Sequence, residues 1–207
     1  MLRFGNINLR LLHQGTVTSF ESSPKGTHEG LSKDTRHYFE LQPGFDTLRV
    51  VLAKHLVIVE GPSDELIFIK AYEDVTGRAP CQDGIDIVTM GTRNRRPLEL
   101  CKLLDRSVAV LRDADDQNPE HWRDKAKDYL EKGKRQMFVG DHDDGRTLEP
   151  QMINANKSNL NELAEVIGID EQEQLLTYMT DNKTEWAWKV AKSDKKLNYP
   201  QYIQDAI

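Results

Sequence analysis

Between residues 55 and 139, short apolar, β-branched runs alternate with segments of helical character, and this alternation constrains the fold more than any other feature. The runs at 55–59, 84–90, 107–112 and 135–139 read as strands. The segments at 65–75, 97–104 and 120–132 read as helices, the last one highly charged, and Ser63 is placed to cap the first. Strand–helix alternation of this kind predicts a parallel sheet with right-handed crossovers. Upstream, residues 1–46 suggest a short strand or two, a loop at 22–30 and a helix at 32–40. Pro43-Gly44 then punctuates, and 47–54 reads as a helix with Leu48, Val51 and Leu52 on one face. Downstream of 150, helical spacing recurs at 159–166, 171–179 and 184–191, and Pro200 opens a short helix at 200–207. The expected fold class is α/β, a Rossmann-like central parallel sheet flanked by helices, with a helical C-terminal extension. Three parts follow: a connecting segment at 1–46, an α/β core at 47–150, and a helical extension at 151–207.

Composition narrows the function. A chain of 207 residues can bury a core without disulfide or metal staples. The two cysteines, Cys81 and Cys101, make neither a disulfide framework nor a zinc-binding CxxC. No apolar run is long enough to cross a bilayer, and residues 1–6 carry no secretory h-region. These features predict a reduced, cytoplasmic protein without a membrane partner. Lys and Arg number 28 against 34 Asp and Glu, a net charge of −6. That excess argues against simple capture of a phosphate backbone by a basic surface. The objection weakens if carboxylates hold divalent metals, each of which brings two positive charges to a phosphate.

The acids fall where such a role is open to them. Ligands of an open parallel sheet bind beyond the carboxyl ends of its strands. Glu60 follows the first strand, with Asp64 one turn on. Asp113 and Asp115 follow the third, and Glu149 follows the fourth after a short polar loop. Magnesium takes hard oxygen ligands from a few carboxylates plus water or phosphate. Two such ions about 4 Å apart can clamp the attacking and leaving oxygens of a phosphodiester. Each residue also has a plainer reading. Glu60 can favour the next helix through its dipole, and Asp113-x-Asp115 can simply make a turn. The string 141–144 (Asp-His-Asp-Asp) has the look of a ligand string but reads better as a solvated loop, and Arg93, Arg95 and Arg96 form either a solvated face or a phosphate-contact patch.

Taken as an ordered set, these residues resemble the Toprim domain shared by topoisomerases, DnaG-type primases and several nucleases. The resemblance is nearest to the OLD (overcoming lysogenization defect) endonucleases. It rests on Asp-Thr-Leu-Arg (46–49), Val-Glu-Gly-Pro-Ser-Asp (59–64), Gly-Ile-Asp-Ile-Val (84–88), Asp-x-Asp (113–115), Thr-Leu-Glu-Pro (147–150) and Lys-Thr-Glu-x-Ala (183–187), and runs from about residue 34 onward. It implies a metal-dependent DNA endonuclease using two divalent ions, Mg²⁺ or else Mn²⁺ or Ca²⁺. Glu60 and Asp64 would be ligands or a proton shuttle, Asp113 and Asp115 would hold metals, and Glu149 would complete the second metal site. Thr147 would add an oxygen or a supporting bond. Lys183 would stabilise transition-state charge, with Lys189 and Lys192 one or two turns away as alternatives. DNA is the implied partner, together with an N-terminal ATPase domain of the same or another polypeptide and a homodimer in the full-length protein.

The chain departs from the family in two ways. It has no GxxxxGK[ST], so it is expected to be a C-terminal piece or a stand-alone relative. Arg112 precedes the acidic pair, where it can orient a carboxylate or contact phosphate. Two rival functions stay open. A degenerate, non-catalytic Toprim module would bind DNA or a subunit, although retention of all five acids argues against it. A haloacid-dehalogenase-like phosphatase would use Asp113 as nucleophile and Asp115 as acid/base, but its motif belongs after the first strand rather than the third.

Overall fold

The computed structural model of the chain describes residues 10–13, 15–19, 30–41 and 44–207. Strands β1 (Arg10–His13) and β2 (Thr16–Ser19) form a separate antiparallel pair. Of the loop expected at 22–30, all but Gly30 lies outside the described residues. Helices α1 (Lys33–Leu41) and α2 (Gly44–Leu52) precede the central sheet. Strand β3 (His55–Val59) is followed by α3 (Pro62–Thr76), β4 (Ile85–Thr89), α4 (Arg95–Leu103), β5 (Ser107–Arg112), α5 (Pro119–Ala126) and β6 (Arg135–Val139). Five helices complete the chain: α6 (Leu148–Ala155), α7 (Leu160–Ile167), α8 (Leu175–Asp181), α9 (Lys183–Lys192) and α10 (Gln201–Gln204).

The four strands β3–β6 are parallel, in the order β4-β3-β5-β6. Their side chains alternate between two faces, as the strand period of two requires. Val57, Val59, Ile87 and Leu111 face one apolar cluster, while Leu56, Ile58, Val88, Val110 and Val139 face the other. The first cluster is closed by α3 and by the helices α6 to α10. The second is closed by α1, α2, α4 and α5. The sheet is therefore covered on both faces, which explains why its strands read as near-continuous apolar runs.

The order of the strands fixes the place of the site. The chain leaves β3 toward β4 through α3 on one face, then returns past β3 to β5 through α4 on the other. The crevice beyond the carboxyl ends of β3 and β5 is thus a switch point of the topology, where α/β sheets bind ligands. Glu60 and Asp113 stand at those two ends.

Three local expectations need correction. The N-cap of α3 is Gly61, not Ser63; Pro62 takes the first helical position, where its missing N–H is no loss, and Ser63 is buried within the first turn. The charged helix ends at Ala126 rather than 132, because the chain turns to pair Glu131 with Arg135 around Gly133. The segment 171–179 is a short 3-10 turn, Gln172–Gln174, that leads into α8. Among the described residues, no helix is long and apolar enough to cross a membrane.

Candidate active site

Strand register brings the acids together. Ile58 pairs with Val110, so two residues further on Glu60 lies beside Arg112. Asp64 sits in the first turn of α3, where its Oδ2 accepts a hydrogen bond from the Gly61 amide at 2.9 Å. Asp113 leaves the end of β5, and Asp115 follows in the left-handed region at φ 53°, a conformation Asp tolerates better than most residues. The Asp115 amide donates to the Arg146 carbonyl at 2.9 Å, and Arg146 also pairs with Asp116. These contacts tie the acidic turn to the loop that delivers Thr147 and Glu149. Glu149, only 3% exposed, accepts from the Thr147 hydroxyl at 2.7 Å and lies 3.9 Å from Lys183 Nζ at the start of α9.

The electrostatics show how closely the carboxylates converge. Burial first, and then the negative charges of Asp64, Glu60, Glu149 and Asp115 in that order, together push the Asp113 carboxyl up to about 8. Burial likewise pushes Glu60 up to about 7 against the opposing pull of Arg112. It pushes Asp64 up to about 6, with the Gly61 amide pulling down. Strong perturbation of several carboxyls in one crevice is a mark of functional sites.

Whether these residues suit a divalent ion is decided by their oxygens. Asp113 Oδ1 is buried with no hydrogen-bond partner. Glu60 Oε1 accepts no hydrogen bond either, although Arg112 Nη1 lies 3.1 Å away as an ion pair. Buried oxygens without donors cost free energy unless something positive meets them. No three carboxylate, histidine or cysteine side chains among the described residues stand close enough to hold an ion as they are. The donors are of the right chemistry and lie on one rim, and their side chains would have to move to close on a cation.

Arg112 is the most constrained group at this rim. It is 4% exposed, its Nη2 donates to Asp115 Oδ2 at 2.8 Å, and its Nη1 donates to the Thr92 carbonyl at 3.0 Å. Its guanidinium lies over the Trp122 ring at 3.6 Å, and Trp122 Nε1 is fixed by the Ala114 carbonyl at 3.0 Å. In this structure the guanidinium is turned to Glu60 and Asp115 rather than to solvent.

The remaining candidates divide. Arg93 and Arg95 are exposed, and Arg93 adjoins the Thr92 carbonyl that Arg112 holds. Arg96 is half-buried over the Tyr38 ring at 5.3 Å and is committed to α1. Lys189 donates to the Ile167 carbonyl and the Tyr178 hydroxyl, both at 2.8 Å, whereas Lys192 lies over Trp188 at 4.7 Å. Residues 141–144 are exposed, with Asp141 and Asp144 engaged in local hydrogen bonds. Tyr202 on α10 is a site neighbour that no sequence feature marks. It is buried, and after burial itself the charges of Asp113, Asp64, Glu60 and Glu149 push its hydroxyl well above the usual range. No spacing or motif in the sequence points to it.

The loop before Glu149 has no room for a side chain at Gly145. Its φ is 137°, and a Cβ there would meet Pro150 Cγ at 2.6 Å. Gly145→Ala is expected to cost about 2 kcal/mol and to lower the melting temperature by roughly 4–8 °C, read by differential scanning fluorimetry.

Comparison with known proteins agrees with this arrangement. The family model for the Toprim domain of overcoming lysogenization defect protein-like proteins matches residues 51–115. This stretch matches an OLD-like Toprim domain. The matched segment holds Glu60, Asp64, Asp113 and Asp115, while Glu149 and Lys183 lie beyond it. The C-terminal region of the Burkholderia pseudomallei OLD protein shares the fold, with a TM-score of 0.53 at 20% identity, over 75% of this chain and 95% of that one. The corresponding region from Xanthomonas campestris pv. campestris gives a TM-score of 0.52 at 18% identity, over 76% and 92%. At these identities the likeness is one of fold. No curated protein matches the chain. A Toprim domain of this kind is consistent with a nuclease-like function, and Toprim domains generally bind divalent metal ions.

Proposed function

We propose that this chain is a divalent-metal-dependent endodeoxyribonuclease that hydrolyses phosphodiester bonds. The observation that carries the reading is the convergence of Glu60, Asp64, Asp113 and Glu149 on the topological switch point, with Asp113 Oδ1 buried and unpartnered. Asp113, Asp64 and Glu149, with Glu60, would hold the metal, Mg²⁺ or Mn²⁺. When bound, the metal supplies Lewis acidity and lowers the pKa of a coordinated water. Thr147 orients Glu149, and Asp64 is fixed by the Gly61 amide. Lys183, 59% exposed and next to Glu149, is free to reach a non-bridging phosphate oxygen as negative charge builds in the transition state. Exposed Arg93 and Arg95 would flank the DNA backbone. None of these groups reads base edges, so sequence preference should be weak. The reading keeps DNA as substrate in a cytoplasmic setting, and an ATPase domain and a second copy as partners of the full assembly.

Cleavage of supercoiled plasmid in Mg²⁺, Mn²⁺ or EDTA tests this proposal. Nicking or linearisation is expected with either metal and not with EDTA. Lys183→Ala is expected to slow cleavage by about 10²-fold, the usual effect of losing one transition-state donor. Lys189→Ala is expected to lower the melting temperature while changing the rate less than about 3-fold, since its bonds go to Ile167 and Tyr178. Intact plasmid with every metal, or equal slowing by both lysine changes, would count against the assignment.

A further inference from the structure

We propose that the Arg112 guanidinium stands permanently where a second divalent ion would sit, so that this site takes one ion and not two. The inference rests on the metal-dependent reading above and specifies its stoichiometry. Arg112 reaches two carboxylates that an ion would otherwise bridge: Glu60 Oε1 at 3.1 Å and Asp115 Oδ2 at 2.8 Å. A cation coordinated by both would have to occupy the same space as the guanidinium.

Arg112 has no ready way to leave. It is held from below by the Trp122 ring, from the side by the Thr92 carbonyl and at its tip by Asp115, and its side chain is 4% exposed. Arginine cannot shed its charge at any ordinary pH, so it repels a divalent ion whatever the conditions. The surroundings are built around it. Trp122 is anchored by the Ala114 carbonyl, inside the acidic turn, and the left-handed backbone of Asp115 turns its carboxylate back toward Arg112. The Arg112 carbonyl is in turn bonded by the Gly140 amide at 2.9 Å.

On the other flank of the rim the carboxylates have no such fixed cation among the described residues. Asp113 Oδ1 has no partner, and Glu149, besides accepting from the Thr147 hydroxyl, faces an exposed lysine at 3.9 Å. That flank, made of Asp113, Asp64 and Glu149, is the ion position that stays open. Arg112 would then do part of what a second ion does. It holds Glu60 and Asp115 in place and keeps a positive charge beside the scissile phosphate, but it offers no coordinated water.

Counting Mn²⁺ tests the proposal without any assay of cleavage. Isothermal titration of the full chain with Mn²⁺ is expected to give one ion per chain. The electron paramagnetic resonance spectrum of the saturated protein should show an isolated Mn²⁺ without spin–spin coupling. Arg112→Met keeps the length and apolar stacking of the stem but removes the charge. It is expected to bind two ions and show the coupled spectrum of a close pair, whereas Arg112→Lys stays at one. Two ions in the wild-type chain overturn the proposal and leave the metal-dependent reading intact, and this count holds even if Arg112→Met does not fold. One ion in both wild type and folded Arg112→Met overturns the role given to Arg112. No bound Mn²⁺ overturns both readings.

Discussion

Replacing Asp113 by Asn should raise the melting temperature of the metal-free protein at pH 8 while abolishing metal-induced stabilisation and cleavage. The sign follows from linkage. Asp113 ionises near 3.8 when exposed and near 8 in the fold. Between these values the native state holds a proton that the unfolded chain has released, so stability falls as pH rises through the window. Glu60 and Asp64, raised to about 7 and 6, add to the same slope. By pH 8 the wild type has lost most of this stability, whereas Asn carries no charge to oppose. Each tenfold change in proton affinity between the folded and unfolded chain corresponds to about 1.4 kcal/mol. Because the carboxylates share their protons, a gain of a few kcal/mol, or roughly 5–10 °C, is the expected scale. Cleavage should fall by at least about 10³-fold, because the amide carries no negative charge and only one oxygen to offer a cation. Melting curves in EDTA from pH 5.5 to 8.5 check the first part: the wild type should lose stability steadily, and the variant should lose less. A variant that melts below the wild type at pH 8 would show that Asp113 is not held in a repulsive cluster.

Trp186→Ala should produce the largest loss of stability. Trp186 lies on α9, fully buried in the cluster that also contains Ile67 and Phe68 of α3 and Val59 of β3. Truncating a buried tryptophan costs about 3–5 kcal/mol, or roughly 6–20 °C for a chain of this size. Because one apolar cluster joins the sheet to the helices after residue 150, the loss should appear as a single cooperative transition in calorimetry. An early, separate transition of small enthalpy would mean that the extension melts alone and that α9 does not hold Lys183 rigidly against Glu149. Trp186→Phe should cost far less, since it keeps most of the packing and removes an indole N–H that has no partner.

The strands are legible in the sequence because burial on both faces leaves continuous apolar runs, and a β-branched run as short as 55–59 suits a buried strand better than a helix. The acids are legible because each directly follows such a run or the loop after it. Helix ends are harder to read. Nothing in the charges of 120–132 separates a helix from a helix followed by a turn, and only the pairing of Glu131 with Arg135 ends it. Ser63 is a good cap by residue type, but Pro62 shifts the start of α3 toward the N-terminus. Arg112 stands out in the sequence with two roles open to it, because its surroundings, Trp122, Thr92 and Glu60, meet it only through the fold. Tyr202 gives no signal at all: its place against the carboxylates is set by how α10 returns to the sheet. The motif puts Lys183 ahead of Lys189 and Lys192, but all three lie on α9, and the contacts of each are visible only in the fold.

The central claim, that a metal held by these carboxylates acts on a DNA phosphate, is tested most directly by sulfur substitution. Duplex DNA carrying phosphorothioate linkages would be incubated with the protein in Mg²⁺ and, separately, in Mn²⁺. Magnesium prefers hard oxygen ligands, whereas manganese accepts softer ones. Contact between the metal and the scissile phosphate predicts cleavage slowed by about tenfold or more in Mg²⁺ and largely restored in Mn²⁺. Equal rates on sulfur-substituted and ordinary DNA in both metals, or cleavage that persists in EDTA, would contradict it.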